Sequence, residues 1–287
     1  MTVPISPQAP ESSRSVVRSV YAVETKEGVG ATVRRSIGSP ALKNLTPFLM
    51  YASNFTLTLS LLTEALERGD VQWMTAGRGI MHSEVPLFDP DPAKVEDSEG
   101  LQLWVDLPMA QKFIEPSYQE RKAVDIATVK PSEGVEISVI SGESHGVSGF
   151  VRPVGGCWYL DFKLRHAGAS VFQSLPAGWT AFVYIISGHL EIGDVEVTHN
   201  RYHTLVLSCL PGELGVRLTR PRNSEGEDTR FVLIAGEPLD QPVVQYGPFV
   251  VTSEEQVREA IMDYRGGKNG FEKAKGWRSE IGKAFRA

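Results

Sequence analysis

Short runs of Val, Ile, Leu, Thr and aromatic residues, separated by turn-forming residues, dominate the second half of this chain. Six such runs are predicted to be strands: Val135–Ile140, Trp158–Leu164, Thr180–Ile186, Tyr202–Leu207, Leu214–Leu218 and Arg230–Ala235. Turn residues lie between nearly all of them, as a sandwich or barrel requires. The 27 Gly and 18 Pro residues also favour many strands joined by tight turns over long helices. We therefore predict an all-β fold.

Composition limits the functions that this fold can serve. The 287 residues are enough for one large domain or two ordinary ones, and 41% hydrophobic residues can fill their cores. A net charge of -6 argues against a protein that binds a nucleic-acid backbone directly. The two cysteines, Cys157 and Cys209, lie far apart in apolar runs, which is typical of a reducing compartment. We expect a protein of the nucleus or cytoplasm that does not enter a membrane.

Two segments repeat one pattern of residues. Arg68-Gly69-Asp70 comes before the strand-like run Val71–Met74, and Pro211-Gly212-Glu213 comes before Leu214–Leu218. The second segment resembles the Pro-Gly-acid turn of a cupin, a small jelly-roll-like β-barrel. Two such modules in one chain make a bicupin. We place the modules at residues 15–128 and 129–250, after a flexible tail at residues 1–14.

The last part of the chain changes to a helical pattern. Ser253-Glu-Glu-Gln256 has the spacing of a capping box, and apolar residues then recur at helical period from Val257 to Tyr264. Gly266-Gly267 ends this run. Residues 251–287 are therefore predicted to form a helical C-terminal extension.

One pair of residues has the character of metal ligands. His82 and Glu84 follow the turn Gly77-Arg78-Gly79, and residues two apart on a strand point to the same face about 6.5 Å apart. One imidazole and one carboxylate can therefore bind a single cation. A lone His-x-Glu pair is also common on protein surfaces, so a solvated pair is the alternative. The sequence identifies no catalytic or substrate-binding residue.

The remaining histidines are not expected to add ligands to this pair. His145 and His166 lie singly in turn-like segments, and His189 lies at a hairpin tip. His199 and His203 are four residues apart, which on one strand places them about 13 Å apart, too far to share a metal.

Motifs along most of the chain resemble the pirin family of bicupins. They are Glu27–Gly38, Leu42–Leu49, Gly69–Glu84, Leu101–Leu107, Val139–Glu143, Tyr159–Lys163, Phe231–Pro238, Gly247–Val250 and Lys268–Trp277. The resemblance covers about residues 15–283.

The resemblance implies a first cupin that binds one iron cation through a His-x-His pair and a His-x-Glu pair, and a second cupin without metal. His82 and Glu84 match the second ligand pair. The first pair belongs in a segment after Leu49, but residues 50–68 stand there and contain no histidine. We expect an incomplete N-terminal barrel in which iron is weakly bound or absent. Either Phe55–Leu62 replaces a lost strand or the barrel is poorly closed.

The resemblance implies two functions of different class. The first is a regulatory binding protein of the nucleus or cytoplasm, which contacts a transcription factor or another protein through its surface. The alternative is an iron-dependent quercetin 2,3-dioxygenase, which acts on a flavonol-like small molecule. The loss of two of four ligands favours the first function, because metal affinity depends on ligand number and geometry.

Overall fold

The computed structural model describes residues 12–27, 31–55, 60–61, 64–82 and 99–277. In chain order the strands are β1 (Ser12–Ser13), β2 (Val16–Tyr21), β3 (Val23–Glu27), β4 (Ala31–Ile37), β5 (Phe48–Phe55), β6 (Ser60–Leu61), β7 (Glu64–Ala65), β8 (Val71–Thr75), β9 (Glu99–Val105), β10 (Ser117–Arg121), β11 (Ala127–Val129), β12 (Val135–Ser141), β13 (Glu143–Ser144), β14 (Val147–Ser148), β15 (Cys157–Leu164), β16 (Ser170–Ser174), β17 (Thr180–Ser187), β18 (His189–Ile192), β19 (Thr198–Asn200), β20 (His203–Leu207), β21 (Glu213–Thr219), β22 (Thr229–Gly236), β23 (Val244–Tyr246) and β24 (Phe249–Val251). Helix α1 (Glu254–Gly266) follows, and short 3-10 turns occur at Met109–Gln111 and Ala123–Asp125. The predicted all-β fold is confirmed.

The chain divides into two compact units, and neither is continuous in sequence. Of the described residues, unit 1 contains 12–21, 127–149 and 158–237, whereas unit 2 contains those within 22–126, 150–157 and 238–277. The main change of unit, between residues 126 and 127, lies next to the predicted 128/129 boundary. Three segments belong to the other unit than expected: residues 15–21, which are part of an N-terminal arm at residues 12–21, residues 150–157 and residues 238–250.

Unit 1 is built mainly from two sheets, beside a short hairpin of β13 and β14. The larger sheet has the strand order β11-β12-β15-β22-β17-β20-β2, and the smaller has the order β1-β21-β18-β19, with β16 also paired to β21. Its core consists of apolar side chains, and Phe162 and Phe231 stack there with ring centroids 4.9 Å apart. Each fully buried Leu, Ile or Phe side chain contributes about 1.5–3 kcal/mol relative to exposure. This apolar core stabilises unit 1.

The N-terminal arm differs from the flexible tail that we predicted. Ser12–Ser13 form β1 in parallel with β21, and Arg14 is fully buried. The Arg14 guanidinium donates to the carbonyls of Trp179 at 2.7 Å and Pro176 at 3.0 Å. These hydrogen bonds explain why a charged residue can leave water here. The tail prediction is wrong for residues 12–14, and residues 1–11 lie outside the described part.

Unit 2 contains a four-stranded sheet of order β3-β4-β5-β9 and a two-stranded sheet of β8 and β10. Strand β5 continues through residues 50–55, where it pairs with both β4 and β9. The segment that departs from the pirin pattern therefore begins as part of a central strand. Of the expected replacement strand Phe55–Leu62, Phe55 ends β5 and residues 60–61 pair with 64–65, while residues 56–59 and 62 lie outside the described ranges.

Helix α1 begins and ends where the sequence predicts. The Ser253 hydroxyl accepts a hydrogen bond from the backbone N–H of Gln256 at 3.2 Å, which caps the first turn. Gly267 adopts a left-handed conformation with φ of 61° and closes the last turn. The chain then continues through turns to residue 277, so the described part of the extension contains a single α-helix.

A tight corner precedes β8 in unit 2. Gly69 has φ of 90°, and the buried Asp70 carboxylate accepts backbone hydrogen bonds from Ala123 at 2.8 Å and Glu67 at 2.9 Å. The Lys122 ammonium lies 3.2 Å from Asp70 Oδ2. Burial alone raises the pKa of Asp70, but these donors outweigh it and hold the pKa below its ordinary value. The carboxylate thus stays ionised and fixes the start of the strand.

The same corner precedes β21 in unit 1. Gly212 has φ of 90°, and the Glu213 carboxylate accepts from the backbone N–H of Leu210 at 2.6 Å. In both corners the carboxylate therefore accepts a hydrogen bond from the backbone N–H of the residue three positions earlier. The second oxygen of Glu213 accepts from the Ser208 hydroxyl at 2.7 Å. The repeat found in the sequence therefore has the same glycine conformation and the same hydrogen bond from the amide three residues earlier in both units.

Candidate functional site

The segment that leads to His82 begins with β8 and a glycine turn. The backbone N–H of Gly79 donates to Ala76 at 2.9 Å, and the N–H of Arg78 donates to Ile114 at 3.0 Å. Both Gly77 and Gly79 have positive φ, at 51° and 146°. Residues that carry a side chain rarely adopt these backbone conformations, so the two glycines allow the turn to form.

Strand β10 fixes β8 from one side. Trp73 pairs with Gln119, and the Gln119 side-chain amide in turn accepts from the Arg152 N–H and donates to the Arg152 carbonyl. Tyr118 donates to Glu120 at 3.0 Å. Burial first, and then this bond to a carboxylate, raises the pKa of the Tyr118 phenol. The strand below the candidate site is therefore held by backbone pairing and by side-chain amides.

His82 is exposed at the end of the described segment. Glu84, its predicted partner, lies outside the described residues. A shared face for the two side chains therefore stays a prediction.

The distribution of histidines limits any metal site near His82. The chain has six histidines, and His82 alone belongs to unit 2. In the ranges that the structure describes, no three His, Cys, Asp or Glu side chains come close enough together to hold a metal ion. The described residues thus offer one candidate ligand where an iron site of mixed imidazole and carboxylate ligands needs several.

The relation between His199 and His203 differs from our expectation. They do not lie on one strand, because His199 is in β19 and His203 begins β20, with a turn at residues 201–202 between them. Tyr202 in that turn has φ of 66°. Partial burial, and then the nearby charge of His203, lower the pKa of His199. The assumption of a strand separation of about 13 Å was wrong, since the chain turns here.

An open groove of about 570 Å³ lies elsewhere in unit 2. It is lined by Glu120, Arg121, Lys122, Asp125 and Phe150. Its two cations are balanced by two carboxylates, and Lys122 is already paired with Asp70. His82 is not among the residues that line this groove, so the groove is treated apart from the candidate site.

Four tryptophans illustrate how the aromatic residues are divided between the units. Trp73 and Trp104 are half-buried in unit 2. In unit 1, Trp158 meets Trp179 edge to face with centroids 6.1 Å apart.

None of the helices in the described part is long and apolar enough to cross a bilayer.

Sequence comparisons identify related proteins. The profile of the Pirin family matches residues 62–105, and that of the Pirin C-terminal cupin domain matches residues 159–270. Human Pirin is 43% identical over 302 residues, which cover 94% of this chain and 99% of the relative. Pirin-1 of Arabidopsis thaliana is 37% identical and covers 91% of this chain and 96% of the relative.

Solved structures share the fold. Quercetin 2,3-dioxygenase from Acinetobacter baumannii superposes with a TM-score of 0.73 at 25% identity, covering 90% of this chain and 99% of that protein. A bacterial pirin from Escherichia coli, solved in complex with nickel(II), gives 0.56 at 15% identity and covers 77% and 99%. The second likeness shows the fold alone. Together with the sequence identity over nearly the whole chain, these matches confirm the bicupin prediction, and the chain belongs to the pirin family.

Proposed function

We propose that this chain is a pirin-family binding protein with an incomplete metal site, which acts through its surface and not through turnover. The observation that carries the proposal is the presence of a single histidine, His82, in unit 2. Among the described residues of the second module, no three His, Cys, Asp or Glu side chains lie close enough together to replace the site. A binding function requires no complete ligand set.

The iron implied by the family does not fit the residues present. His82 and Glu84 match one half of the family's ligand set, and residues 50–68 contain no histidine for the other half. A site with two protein ligands leaves most positions to water and binds divalent metals weakly. The alignment with human Pirin, at 302 residues, is longer than this 287-residue chain and so contains gaps. A shortened metal-binding segment is consistent with those gaps.

The partner in this proposal is a protein, such as a transcription factor, in the nucleus or cytoplasm. The negative net charge disfavours direct contact with nucleic acid, since such contact needs a basic surface. Regulation would therefore operate through a protein contact. Co-precipitation of the purified chain with candidate transcription factors tests this part of the proposal.

The second candidate function is that of a quercetin 2,3-dioxygenase. The observation in its favour is the structural similarity to the Acinetobacter baumannii enzyme at a TM-score of 0.73. This function requires a bound metal and turnover of a flavonol. Two measurements on the purified chain, its iron content and its turnover of quercetin, distinguish this function from the first candidate.

We expect the purified chain to contain well below one equivalent of iron and to show no turnover of quercetin, because two protein ligands bind the metal weakly. Elemental analysis and oxygen consumption with quercetin measure the two quantities. Human Pirin, prepared in the same way, is the control for metal loading. Stoichiometric iron in this chain, with the spectrum of a ligated centre, would favour the dioxygenase.

Replacing residues 50–68 with the corresponding segment of human Pirin is expected to raise the bound iron toward one equivalent. The family pattern places a His-x-His pair in that segment, which would complete the set with His82 and Glu84. The same chimera carrying His82→Ala is the matched control, and its iron content should fall again. A folded chimera that stays metal-free would count against His82 and Glu84 as ligands.

A further inference from the structure

The turn before His82 lies between two parts of unit 2 that are distant in sequence. On one side, a Cβ placed on Gly77 would lie 2.1 Å from the carbonyl oxygen of Ile114. On the other side, a Cβ placed on Gly79 would lie 2.3 Å from Cζ of Phe271 and 2.6 Å from its Cε1. The tip of the Phe271 ring therefore lies directly against the backbone of the turn.

The ring of Phe271 has little freedom to move away. Its residue is only 5% exposed. Phe249 and Tyr264 meet the ring edge to face, with centroids 6.3 Å and 5.6 Å away and interplanar angles of 87° and 89°. Edge-to-face contacts of this kind are favourable beyond the area that they bury. The aromatic contacts therefore fix the ring beside the turn.

The backbone that carries Phe271 is bound to the end of helix α1. The N–H of Lys268 donates to Asp263 at 2.9 Å, and the N–H of Phe271 donates to Lys268 at 3.1 Å. The Asn269 side chain donates to the Asp263 carboxylate at 2.9 Å. The position of the ring thus follows from the position of the helix end.

We propose that Phe271 is a positioning residue, whose ring holds the Gly77–Gly79 turn against the backbone at Ile114 and so sets the path of the chain toward His82. Only two residues separate Gly79 from His82. The direction in which the chain leaves the turn therefore governs where His82 lies. This role goes beyond the proposed function, and it applies whether or not a metal binds.

Hydrogen exchange of the full chain tests this role. The amides of Arg78 and Gly79 are bound to Ile114 and Ala76, so they report on the turn. We expect Phe271→Tyr and Phe271→Ala to raise their exchange by about tenfold or more, and Phe271→Leu to have a smaller effect. The Tyr hydroxyl would extend from Cζ, the ring atom nearest Gly79, whereas Leu removes that tip. Met262→Ala, on the exposed side of α1, is the control and should change nothing.

The comparison of Tyr with Leu tests whether the tip of the ring contacts the turn. If it does not, Tyr should be tolerated at least as well as Leu, and that result would overturn the proposal. Unchanged exchange at residues 76–82 in Phe271→Tyr would overturn it as well. The ring resonance of His82 should also shift in Phe271→Tyr, while the resonances of the five histidines in unit 1 stay in place. Because this readout needs no metal, its failure is distinct from failure of the proposed function.

Discussion

Replacement of Lys112 by Met is expected to lower the free energy of unfolding of unit 2 by about 3–5 kcal/mol, because it leaves a buried carboxylate without its cation. Lys112 Nζ lies 2.5 Å from Asp106 Oδ1, and each side chain is only 3% exposed. Gln241 donates to the other Asp106 oxygen at 2.7 Å but brings no charge. Hydrogen exchange of the β9 amides at increasing urea concentration measures this free energy.

Two further variants separate the charge from the packing. The double variant Asp106→Leu with Lys112→Met should recover most of the loss, because it removes both buried charges. Arg258→Met is the exposed control. Arg258 is 3.9 Å from Glu254 on the surface of α1, so its loss should change stability by no more than about 0.5 kcal/mol. A loss below about 1 kcal/mol for Lys112→Met would show that water reaches the pair.

The Arg14→Ala variant is expected to lower the free energy of unfolding of unit 1 by about 3–5 kcal/mol. The substitution removes a fully buried side chain and leaves the carbonyls of Trp179 and Pro176 without their donors. In the arm, β1 pairs with β21 and β2 pairs with β20. If the arm detaches, the edges of β20 and β21 lose these hydrogen-bonding partners. Hydrogen exchange of β20 and β21 in urea measures the effect.

Conservative and surface substitutions in the same arm provide the controls. Arg14→Lys should have an intermediate effect, because an ammonium keeps the charge but lacks the planar fork that reaches two carbonyls. Ser19→Ala, at an exposed position of β2, should stay within about 0.5 kcal/mol of the parent chain. If Arg14→Ala is as mild as Ser19→Ala, the arm is not anchored by its guanidinium.

The strands of unit 1 could be predicted closely from the sequence. The run Val135–Ile140 becomes strand β12 at Val135–Ser141, and Arg230–Ala235 becomes β22 at Thr229–Gly236. These segments combine apolar, β-branched residues with glycine turns, so local preference and burial agree. Strand β16 was missed, because Ser170–Ser174 contains two serines and a glutamine in five residues. Its place in the sheet comes from pairing with β21, which no local pattern reveals.

Contacts between distant residues account for the other differences. Arg14 lies in a Pro/Ser-rich stretch that is typical of a flexible tail, and its burial depends on carbonyls about 160 residues away. Similarly, the return of residues 238–241 to unit 2 depends on Gln241, which binds Asp106 and Leu107. A charged or polar residue gives no local sign that distant acceptors will compensate for its burial.

The candidate site was only partly accessible to sequence reasoning. The glycine turn and His82 could be located, since the spacing of Gly77, Gly79 and His82 is a local motif. The role of Phe271 could not be predicted, because Phe271 and Gly79 are 192 residues apart in the sequence and no charge or glycine pattern connects them. In the sequence, the main sign of this packing is that residue 79 is a glycine, which has no side chain to collide with the ring.

The acidic residues at the two corners, Asp70 and Glu213, stabilise the fold and are not part of a reaction site. Each carboxylate is engaged by backbone amides and neighbouring side chains of its own corner. Neither acid is therefore available to a bound ion, and the corner can be preserved by selection for folding alone. A module of this kind can keep its scaffold through the gain or loss of a ligand set, so a preserved corner indicates descent and foldability but gives no information about catalysis.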